Sequence, residues 1–324
     1  MILEQPSKEI NLVMKKADDP QSRVIKYVFE EITHCEMCGD PVMKHKVMGQ
    51  RLNQSQGRNP KRKSGIAVSI MKCRNCNLIY PQPLPIPEDF ADHYGRQPEE
   101  YWGKQEVFEW NDKYFSDEIK TAKALLPFKQ GMKALDIGAG IGKCMHSLSN
   151  AGFDTYGFEP SRQFYERALS QMKVTPDRLK HAMLEDVDYP GESFDFITFG
   201  AVLEHLYHPA SSLEKALKWL RPGGLIHVEV PSSKYFVARL FNMYNRMRGT
   251  NYVTNLSPMH VPFHLYEFDL KSFSELGKRL KYKIESHSIE VCDIMHIPKA
   301  FRPLLRQYMR WTKTGMQLTV FLRK

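Results

Sequence analysis

From Gly131 onward, short apolar runs alternate with segments in which hydrophobic residues recur at helical spacing. The apolar runs predict strands, and the glycine turns between the two kinds of segment predict repeated strand-helix-strand units. We predict strands at 133–137, 155–158, 194–199, 225–230, 281–290 and 317–322, and helices at 143–150, 162–169, 211–220 and 273–280. This order is typical of an α/β domain built on a largely parallel sheet.

The first third of the chain has a different pattern. Four of the six cysteines form two Cys-x-x-Cys pairs, and a proline-rich stretch at 81–87 predicts an extended connector. An acidic, aromatic segment at 88–126 predicts helices that cap a neighbouring domain. We therefore divide the chain into an N-terminal arm (1–30), a zinc ribbon (31–85), a helical cap (86–125) and a main domain (126–324) with an insertion at 232–262.

The paired cysteines, Cys35 with Cys38 and Cys73 with Cys76, have the spacing of a zinc site. A two-residue gap lets one turn present both thiolates to a tetrahedral ion, and four cysteine ligands leave no open position for catalysis. We expect a structural zinc. Disulfides are the alternative, which the lack of a secretion signal disfavours.

The composition is that of a folded globular protein, with 42% hydrophobic and 26% charged residues, and it excludes disordered and fibrous classes. No apolar run reaches the length of a membrane span, and the first residues lack a signal-peptide core, so we expect a cytoplasmic protein. The formal net charge of +9 is uneven, because 41–80 and 299–324 contain no acidic residue. These blocks favour an anionic partner or, equally, a solvated basic face.

Near the C-terminal end, the spacing of Phe301, Leu304, Leu305, Tyr308 and Trp311 among arginines predicts a basic amphipathic helix. Pro303 would stand in its first turn. We favour docking of this helix against the protein's own core over contact with a membrane surface.

A glycine-rich turn leaves the first predicted strand of the main domain. Its candidate ligand-binding residues are Asp136, Gly138, Gly140 and Gly142, since glycine permits tight turning and close approach of backbone N–H groups to a ligand. A nicotinamide-binding loop would have its third glycine at position 143, which is Lys143. About 20 residues after the first glycine, Glu159 ends the second strand, where a carboxylate can accept both ribose hydroxyls of an adenosine.

Together with Phe194-Asp195, Val202-Leu203-Glu204-His205 and Leu220-Arg221-Pro222-Gly223-Gly224, these segments resemble the motifs of class I S-adenosylmethionine (SAM)-dependent methyltransferases. The resemblance implies a Rossmann-like, seven-stranded sheet with one antiparallel strand and helices on both faces. It also implies SAM over the carboxyl ends of the first strands, with Glu159 on the ribose and Leu184 and Glu185 on the adenine.

The N-terminal order, two Cys-x-x-Cys pairs followed by prolines and aromatic residues, resembles a subgroup of this family that includes sugar, glycan and natural-product methyltransferases. In this chain Asn77 follows the second pair, where glycine is usual. By position, Tyr94, Tyr101 and Tyr207 are candidate substrate contacts.

Three histidines are candidates for the removal of a proton from the methyl acceptor, a task that suits imidazole near neutral pH. His205 follows the fourth strand of the main domain, whose carboxyl end should face the methyl donor. His260 and His264 follow the insertion, which we expect to form a lid over the substrate. Each histidine has a structural alternative, in which it only holds a loop or the lid in place.

We expect methyl transfer to a hydroxyl or carbon of a sugar, nucleotide-sugar or other biosynthetic metabolite. The basic blocks would suit a phosphorylated acceptor of this kind. An RNA methyltransferase is the second hypothesis, since zinc ribbons and basic residues also fit RNA. A non-catalytic interaction protein on the same scaffold is the third.

Overall fold

The computed structural model describes residues 25–53, 65–95, 98, 109–294 and 297–324. Its N-terminal part contains five short strands, β1 (Tyr27–Glu30), β2 (Lys46–Leu52), β3 (Ala67–Lys72), β4 (Ile79–Gln82) and β5 (Leu84–Pro87). Strands β2, β3 and β4 form an antiparallel sheet, and β1 pairs with β5. Both cysteine pairs lie in turns beside this three-stranded sheet, so we call residues 31–85 the ribbon.

Seven strands form the central sheet of the main domain: β6 (Lys133–Ile137), β7 (Asp154–Glu159), β8 (Leu179–His181), β9 (Phe194–Gly200), β10 (Leu220–Pro231), β11 (Lys283–Glu290) and β12 (Gln317–Arg323). Their order is β11-β12-β10-β9-β6-β7-β8, and β12 alone runs antiparallel to its neighbours. The expected seven-stranded sheet with one antiparallel strand is confirmed. Most predicted strand bounds agree within two residues, but β10 begins before the Arg221-Pro222-Gly223-Gly224 turn and shifts register across it.

Eight α-helices are described: α1 (Ala91–Tyr94), α2 (Ser116–Leu125), α3 (Lys143–Asn150), α4 (Arg162–Gln171), α5 (Pro209–Trp219), α6 (Phe236–Met247), α7 (Leu270–Leu280) and α8 (Arg302–Thr312). The Ser161 hydroxyl accepts a hydrogen bond from the Phe164 N–H and caps α4. Pro303 stands in the first turn of α8, as expected from the sequence. None of the described helices is long and apolar enough to cross a membrane.

The sheet is covered on both faces because alternate strand residues point to opposite sides. On one face Leu135 belongs to a buried cluster that includes Leu213 of α5 and Phe273 of α7. On the other face, the neighbouring Ala134 packs with Leu148 of α3 in a cluster that also includes residues of α2. The expected helices on both faces are therefore confirmed.

The insertion at 232–262 was expected to cover the substrate, but the structure places it against the ribbon. The Gln50 N–H donates to the Asn251 carbonyl at 2.9 Å, and the Val253 N–H donates to the Gln50 carbonyl at 3.1 Å. Gly49 permits this close approach, since a Cβ there would lie 2.1 Å from the Asn251 oxygen. Backbone pairing with β2 thus fixes the middle of the insertion on the ribbon, while its last residue, Pro262, lines the cleft described below.

Helix α7 joins the ribbon to the main domain. The buried Ser272 hydroxyl donates to the Cys76 carbonyl at 2.9 Å, and the Arg279 guanidinium donates to the carbonyls of Glu36 and Met37 at 2.8 and 3.2 Å. Both cysteine turns are thus held by the same helix, and Met37 belongs to the same buried cluster as the sheet core.

Candidate functional site

The glycine turn at 138–142 connects β6 to α3 at the carboxyl edge of the sheet. Gly138 and Gly140 have φ values of +66° and +56°, a region that side chains with a Cβ rarely occupy. A Cβ on Gly138 would lie 2.7 Å from Val202 Cγ2, whereas one on Gly140 would meet no atom closer than 3.9 Å. Gly138 is therefore needed for packing of the loop, while Gly140 leaves open space beside the backbone.

Gly142 has a different role from the one that its place in the motif predicts. It does not line the cleft described below, and a Cβ there would lie 3.0 Å from Val174 and 3.1 Å from Ala168. Its contacts make it a packing position between α3 and the α4 region.

A cleft of about 560 Å³ opens at the glycine turn, within the size range of small-molecule sites. The turn itself, the end of β7, the loop between β9 and α5, and the segment before α2 line it. Parallel strands present their carboxyl ends at one edge of the sheet, which is where ligands of such folds bind.

Glu159 closes the end of β7 inside this cleft. Its Oε2 accepts from the Gly140 N–H and its Oε1 from the Ser161 N–H, each at 2.8 Å. Burial raises the pKa of this carboxyl to about 7. Each oxygen retains acceptor capacity, so the pair can receive the two hydroxyls of a ribose.

Asp136 lies at the end of β6 and is only 3% exposed. Its Oδ2 has no hydrogen-bond partner among the described residues. Burial, and next the nearby Glu159 carboxylate, raise the pKa of Asp136 to about 8. A buried carboxylate oxygen without a partner is costly, and a cationic or hydrogen-donating ligand would offset that cost.

The charges around the cleft favour a cationic ligand. Four carboxyl groups line it, on Glu118, Asp136, Glu159 and Glu229, against a single lysine, Lys143. Burial raises the pKa of Asp136 and Glu159, and a bound cation would favour their ionised form. SAM carries a sulfonium cation, and the residues present fit it.

The two residues expected at the adenine are separated by the structure. Leu184 is buried and lines the cleft. Glu185 is exposed and lies outside the cleft, and its carbonyl accepts from Lys215 Nζ at 3.0 Å. The side chain of Glu185 is therefore not placed to meet a ligand in this cleft.

His205 and His264 meet at the cleft wall, with ring centroids 4.9 Å apart. Burial lowers the pKa of His205 to about 4 and that of His264 well below its usual value. Glu204, 1% exposed, has Oε1 3.9 Å from His264 Nε2, and its Oε2 has no hydrogen-bond partner among the described residues. The lowered pKa values keep both imidazoles neutral near neutral pH, so each has a ring nitrogen that can accept a hydrogen bond or, transiently, a proton.

His260 is not brought to the cleft. Its Nε2 accepts from an Arg51 guanidinium nitrogen at 3.2 Å, and the same arginine donates to the Val253 carbonyl. Burial and the Arg51 charge lower the pKa of His260 to about 3. His260 thus connects the insertion to the ribbon, and the structure does not place it where the predicted catalytic role would require.

Of the candidate tyrosines, Tyr94 lines the cleft, and its hydroxyl donates to the His205 carbonyl at 3.4 Å. Tyr207 is buried outside the cleft, where its ring packs against Phe90 and its carbonyl accepts from the Tyr266 hydroxyl. Tyr101 lies outside the described residues.

Sequence reasoning missed the wall formed by the segment before α2. Tyr114 and Phe115 line the cleft there, together with Glu118 in the first turn of α2. The Trp110 indole N–H donates to Ser147 Oγ at 2.8 Å, and this hydroxyl donates to the Tyr114 carbonyl at 2.9 Å, which ties the segment to α3. The density of aromatic residues just before the first sheet strand is the signal that could have identified this wall.

The four paired cysteines come together in the ribbon. The sulfur atoms of Cys35 and Cys76 are 3.4 Å apart, those of Cys38 and Cys73 are 3.6 Å apart, and the four sulfurs all lie within 4.8 Å of one another. Tetrahedral zinc with Zn–S bonds of about 2.3 Å would separate its ligands by about 3.8 Å. The cluster is compatible with a zinc ion.

The turn geometry also agrees with the sequence. Gly39 and Asn77 both have left-handed backbones, at φ +75° and +65°, as expected after each second cysteine. The Cys76 N–H points to Cys73 Sγ at 3.4 Å, the contact that such turns offer a thiolate.

A family model and curated relatives both show that this chain is similar to methyltransferases. A family model described as a methyltransferase domain matches residues 108–287. The ubiquinone biosynthesis O-methyltransferase of Cereibacter sphaeroides is 33% identical over 121 residues, which cover 35% of this chain and 48% of the relative. That of Methylococcus capsulatus is 31% identical over 124 residues, covering 34% and 52%. The chain thus spans about half the length of these curated relatives.

Among solved structures, a SAM-dependent methyltransferase from Mesorhizobium loti aligns with a TM-score of 0.45 and 18% identity, over 64% of this chain and 98% of that one.

Proposed function

The chain belongs to the methyltransferase-domain family, and from this premise we propose that it binds SAM in the cleft and methylates a hydroxyl or carbon of a sugar, nucleotide-sugar or other biosynthetic metabolite. The observation that carries the proposal is the cleft itself, in which an adenosine-binding end, Gly140 with Glu159, continues to a pair of histidines, His205 and His264.

The residues at the first end would hold the cofactor. Glu159 would accept the ribose hydroxyls, Leu184 would pack on the adenine, and the Gly138–Gly140 backbone with Asp136 would face the methionine part. When bound, SAM supplies an electrophilic methyl group on its sulfonium.

We assign the proton transfer to His205. The acceptor oxygen or carbon would form its new bond to the methyl carbon as the bond from that carbon to the sulfonium sulfur breaks. The acceptor's own bond to hydrogen also breaks, and a ring nitrogen of His205 takes the proton. Glu204 and His264 lie beside this ring, and a carboxylate there would stabilise the imidazolium that forms. Tyr94 holds the His205 backbone through its carbonyl and so acts as a positioning residue.

We also propose that Cys35, Cys38, Cys73 and Cys76 hold a structural zinc, and that the division into arm, ribbon, cap and main domain given above describes the chain. The metal would fix the two cysteine turns that α7 contacts, at a distance from the cleft.

RNA as the acceptor has less support. Of the basic residues of the ribbon, Arg58, Lys61, Arg62 and Lys63 lie outside the described residues. Arg51 is 5% exposed and is used in contacts with His260 and the Val253 carbonyl, so it is not available to a phosphate.

The catalytic assignment is tested by His205→Ala. We expect SAM binding, measured by calorimetry, to stay within about twofold of the original, and methyl transfer from labelled SAM into a cell extract to fall by about 100-fold or more, the range of a lost general base. His287→Ala, on the exposed edge strand β11, serves as the matched control and should leave both unchanged. Unchanged turnover in His205→Ala would remove this residue from the proton transfer.

A further inference from the structure

Helices α6 and α8 pack side by side and leave an unusual outer surface. Val237 of α6 and Met309 of α8 are buried together, and the rings of Phe236 and Tyr308 lie 4.8 Å apart. Most of the large hydrophobic side chains that the described residues expose lie on these two helices and the residue before α8. They are Met243 (53% exposed), Tyr244 (41%), Met247 (72%), Phe301 (64%), Leu304 (73%), Tyr308 (41%) and Trp311 (81%). We call this set the α6–α8 surface.

The exposed residues of α8 form one stripe. Phe301, Leu304, Tyr308 and Trp311 follow one another at intervals of three, four and three residues, which places them on a single face of a helix. Met309 and the partly buried Leu305 lie on the adjacent face of the helix, toward α6, which the ring of Tyr308 also contacts. The expected docking of this helix against the core therefore describes only one of its two apolar faces.

The two helices carry basic residues and no acidic ones, and the nearby Asp293 pairs with Arg306 of α8 at 3.0 Å. No acidic residue occurs between Glu229 and Glu267 or after Asp293, so both helices are free of aspartate and glutamate. The exposed basic side chains on the two helices and on the residues that flank α8 include Arg239, Lys299, Arg310 and Lys313. An apolar face with aromatic residues and a cationic border is typical of helices that lie in the interface of an anionic bilayer.

The position of this surface in the fold is also defined. Helix α6 follows directly on β10, and α8 leads directly into β12, where Gln317 pairs with Pro231. Helix α6 therefore begins, and helix α8 ends, near the sheet edge at which the carboxyl ends of the parallel strands form the cleft, and Glu229 of β10 lines that cleft.

We propose that the α6–α8 surface docks the protein on a membrane of anionic phospholipid, with the apolar stripe entering the interface and the basic side chains facing the headgroups. A second copy of this chain fits less well, because a two-fold interface would bring the same acid-free surface against itself and oppose arginine to arginine. This inference goes beyond methyl transfer and does not depend on the identity of the acceptor.

The test uses the whole protein with vesicles of pure phosphatidylcholine and vesicles that also contain phosphatidylglycerol. We expect cosedimentation with the anionic vesicles only, weakened by added salt because the headgroup attraction is screened. Tryptophan fluorescence should shift to the blue on binding, and Trp311→Phe should remove most of this shift while binding persists.

The double variant Leu304→Ser/Trp311→Ser should reduce partition into anionic vesicles by about tenfold or more. Both side chains are exposed, so its melting temperature and SAM affinity should match the original protein, which keeps the result separate from the methyltransferase proposal. Val28→Ser/Val47→Ser is the matched control, since these valines are 56% and 59% exposed in the N-terminal strands β1 and β2.

Three outcomes would overturn the proposal: no cosedimentation with anionic vesicles, equal loss of binding in the control variant, or a concentration-dependent dimer that the Leu304→Ser/Trp311→Ser change dissolves. The last would assign the surface to a second copy.

Discussion

Glu159 is poised between two protonation states because it is buried without a cationic partner among the described residues. Its pKa, raised by burial to about 7, makes the neutral form increasingly populated as the pH falls through neutrality. Only the ionised form can accept hydrogen bonds from ribose hydroxyls on both oxygens while it keeps its two backbone N–H groups.

We therefore predict that SAM affinity falls as the pH is lowered from about 8 to about 6, by up to tenfold per pH unit below the pKa for one proton taken up. Glu159→Gln should bind SAM about 10- to 100-fold more weakly at the upper pH and lose most of the pH dependence, since a hydrogen bond to a charged group contributes about 1.5–3 kcal/mol. Calorimetric titration over this range measures both. A slope that survives in Glu159→Gln would point to Asp136 as the titrating group.

Two glycines of the turn have different roles: Gly138 is needed for packing, whereas Gly140 borders the cleft. Gly138→Ala should lower the free energy of unfolding by about 1–3 kcal/mol more than Gly223→Ala, because its Cβ would overlap Val202. Gly223 has a similar φ of +79° and no atom within 4 Å of the added Cβ, so it reports the backbone strain alone. Urea unfolding of both variants measures the difference, and equal losses would contradict the packing role.

Gly140→Ala should resemble Gly223→Ala in stability but bind SAM at least tenfold more weakly, since the added methyl group would occupy cleft space. Binding unchanged in Gly140→Ala would show that the ligand does not approach this backbone.

For single residues, the sequence predicted position correctly where that position follows from the order of strands and helices along the chain. Glu159, His205 and His264 reach one cleft because their segments follow carboxyl ends of parallel strands or pack against them. His260 and His264 lie four positions apart and have the same side chain, so the sequence alone does not distinguish their roles. Arg51, 209 positions away, separates their roles, and a single sequence contains no signal for that contact.

At the scale of elements, the capping hydroxyl of α7 links two parts of the chain. Ser272 Oγ accepts from the Asp269 N–H at 3.2 Å and donates to the Cys76 carbonyl, and the residue is fully buried. Ser272→Ala should therefore cost about 1–3 kcal/mol of unfolding free energy, since both buried backbone groups lose their partner. The exposed Ser211 on α5 is the matched control, and thermal unfolding of the two alanine variants should differ clearly. Equal stability would show that water replaces the hydroxyl.

The elements themselves were mostly predictable, and the exceptions have physical causes. Strand β8 is three residues long and offers too few positions for a periodic pattern. Helix α6 lies in the insertion and was not predicted, although its apolar residues recur at helical spacing. The insertion was interpreted as a lid without assigned elements. The pairing of Gln50 with the insertion depends on contacts about 200 positions apart.

At the scale of the whole molecule, the ribbon and the main domain share one buried cluster. Cys35 and Met37 belong to it together with Tyr266 and Phe268. We predict that Cys38→Ser, or removal of metal by a chelator, lowers the melting temperature of the entire chain in a single transition, because loss of the ribbon exposes part of the main core. Cys292→Ser, outside the cluster of four cysteines, should change it little.

Scanning calorimetry with zinc quantification of the same samples measures this effect. Two separate transitions, with the main one unmoved, would show that the ribbon unfolds on its own.

Strand β12 has a consequence for how the protein is made. It lies between β10 and β11, and Lys324 Nζ reaches back to the Leu220 carbonyl at 2.7 Å. Every other strand of the sheet leaves the ribosome earlier, so the nascent polypeptide holds two unsatisfied strand edges and exposes the hydrophobic partners of Leu318, Val320 and Leu322 until this segment emerges. The sheet can therefore be completed only after β12 has been synthesised. Before that, chaperones can bind the exposed strand edges.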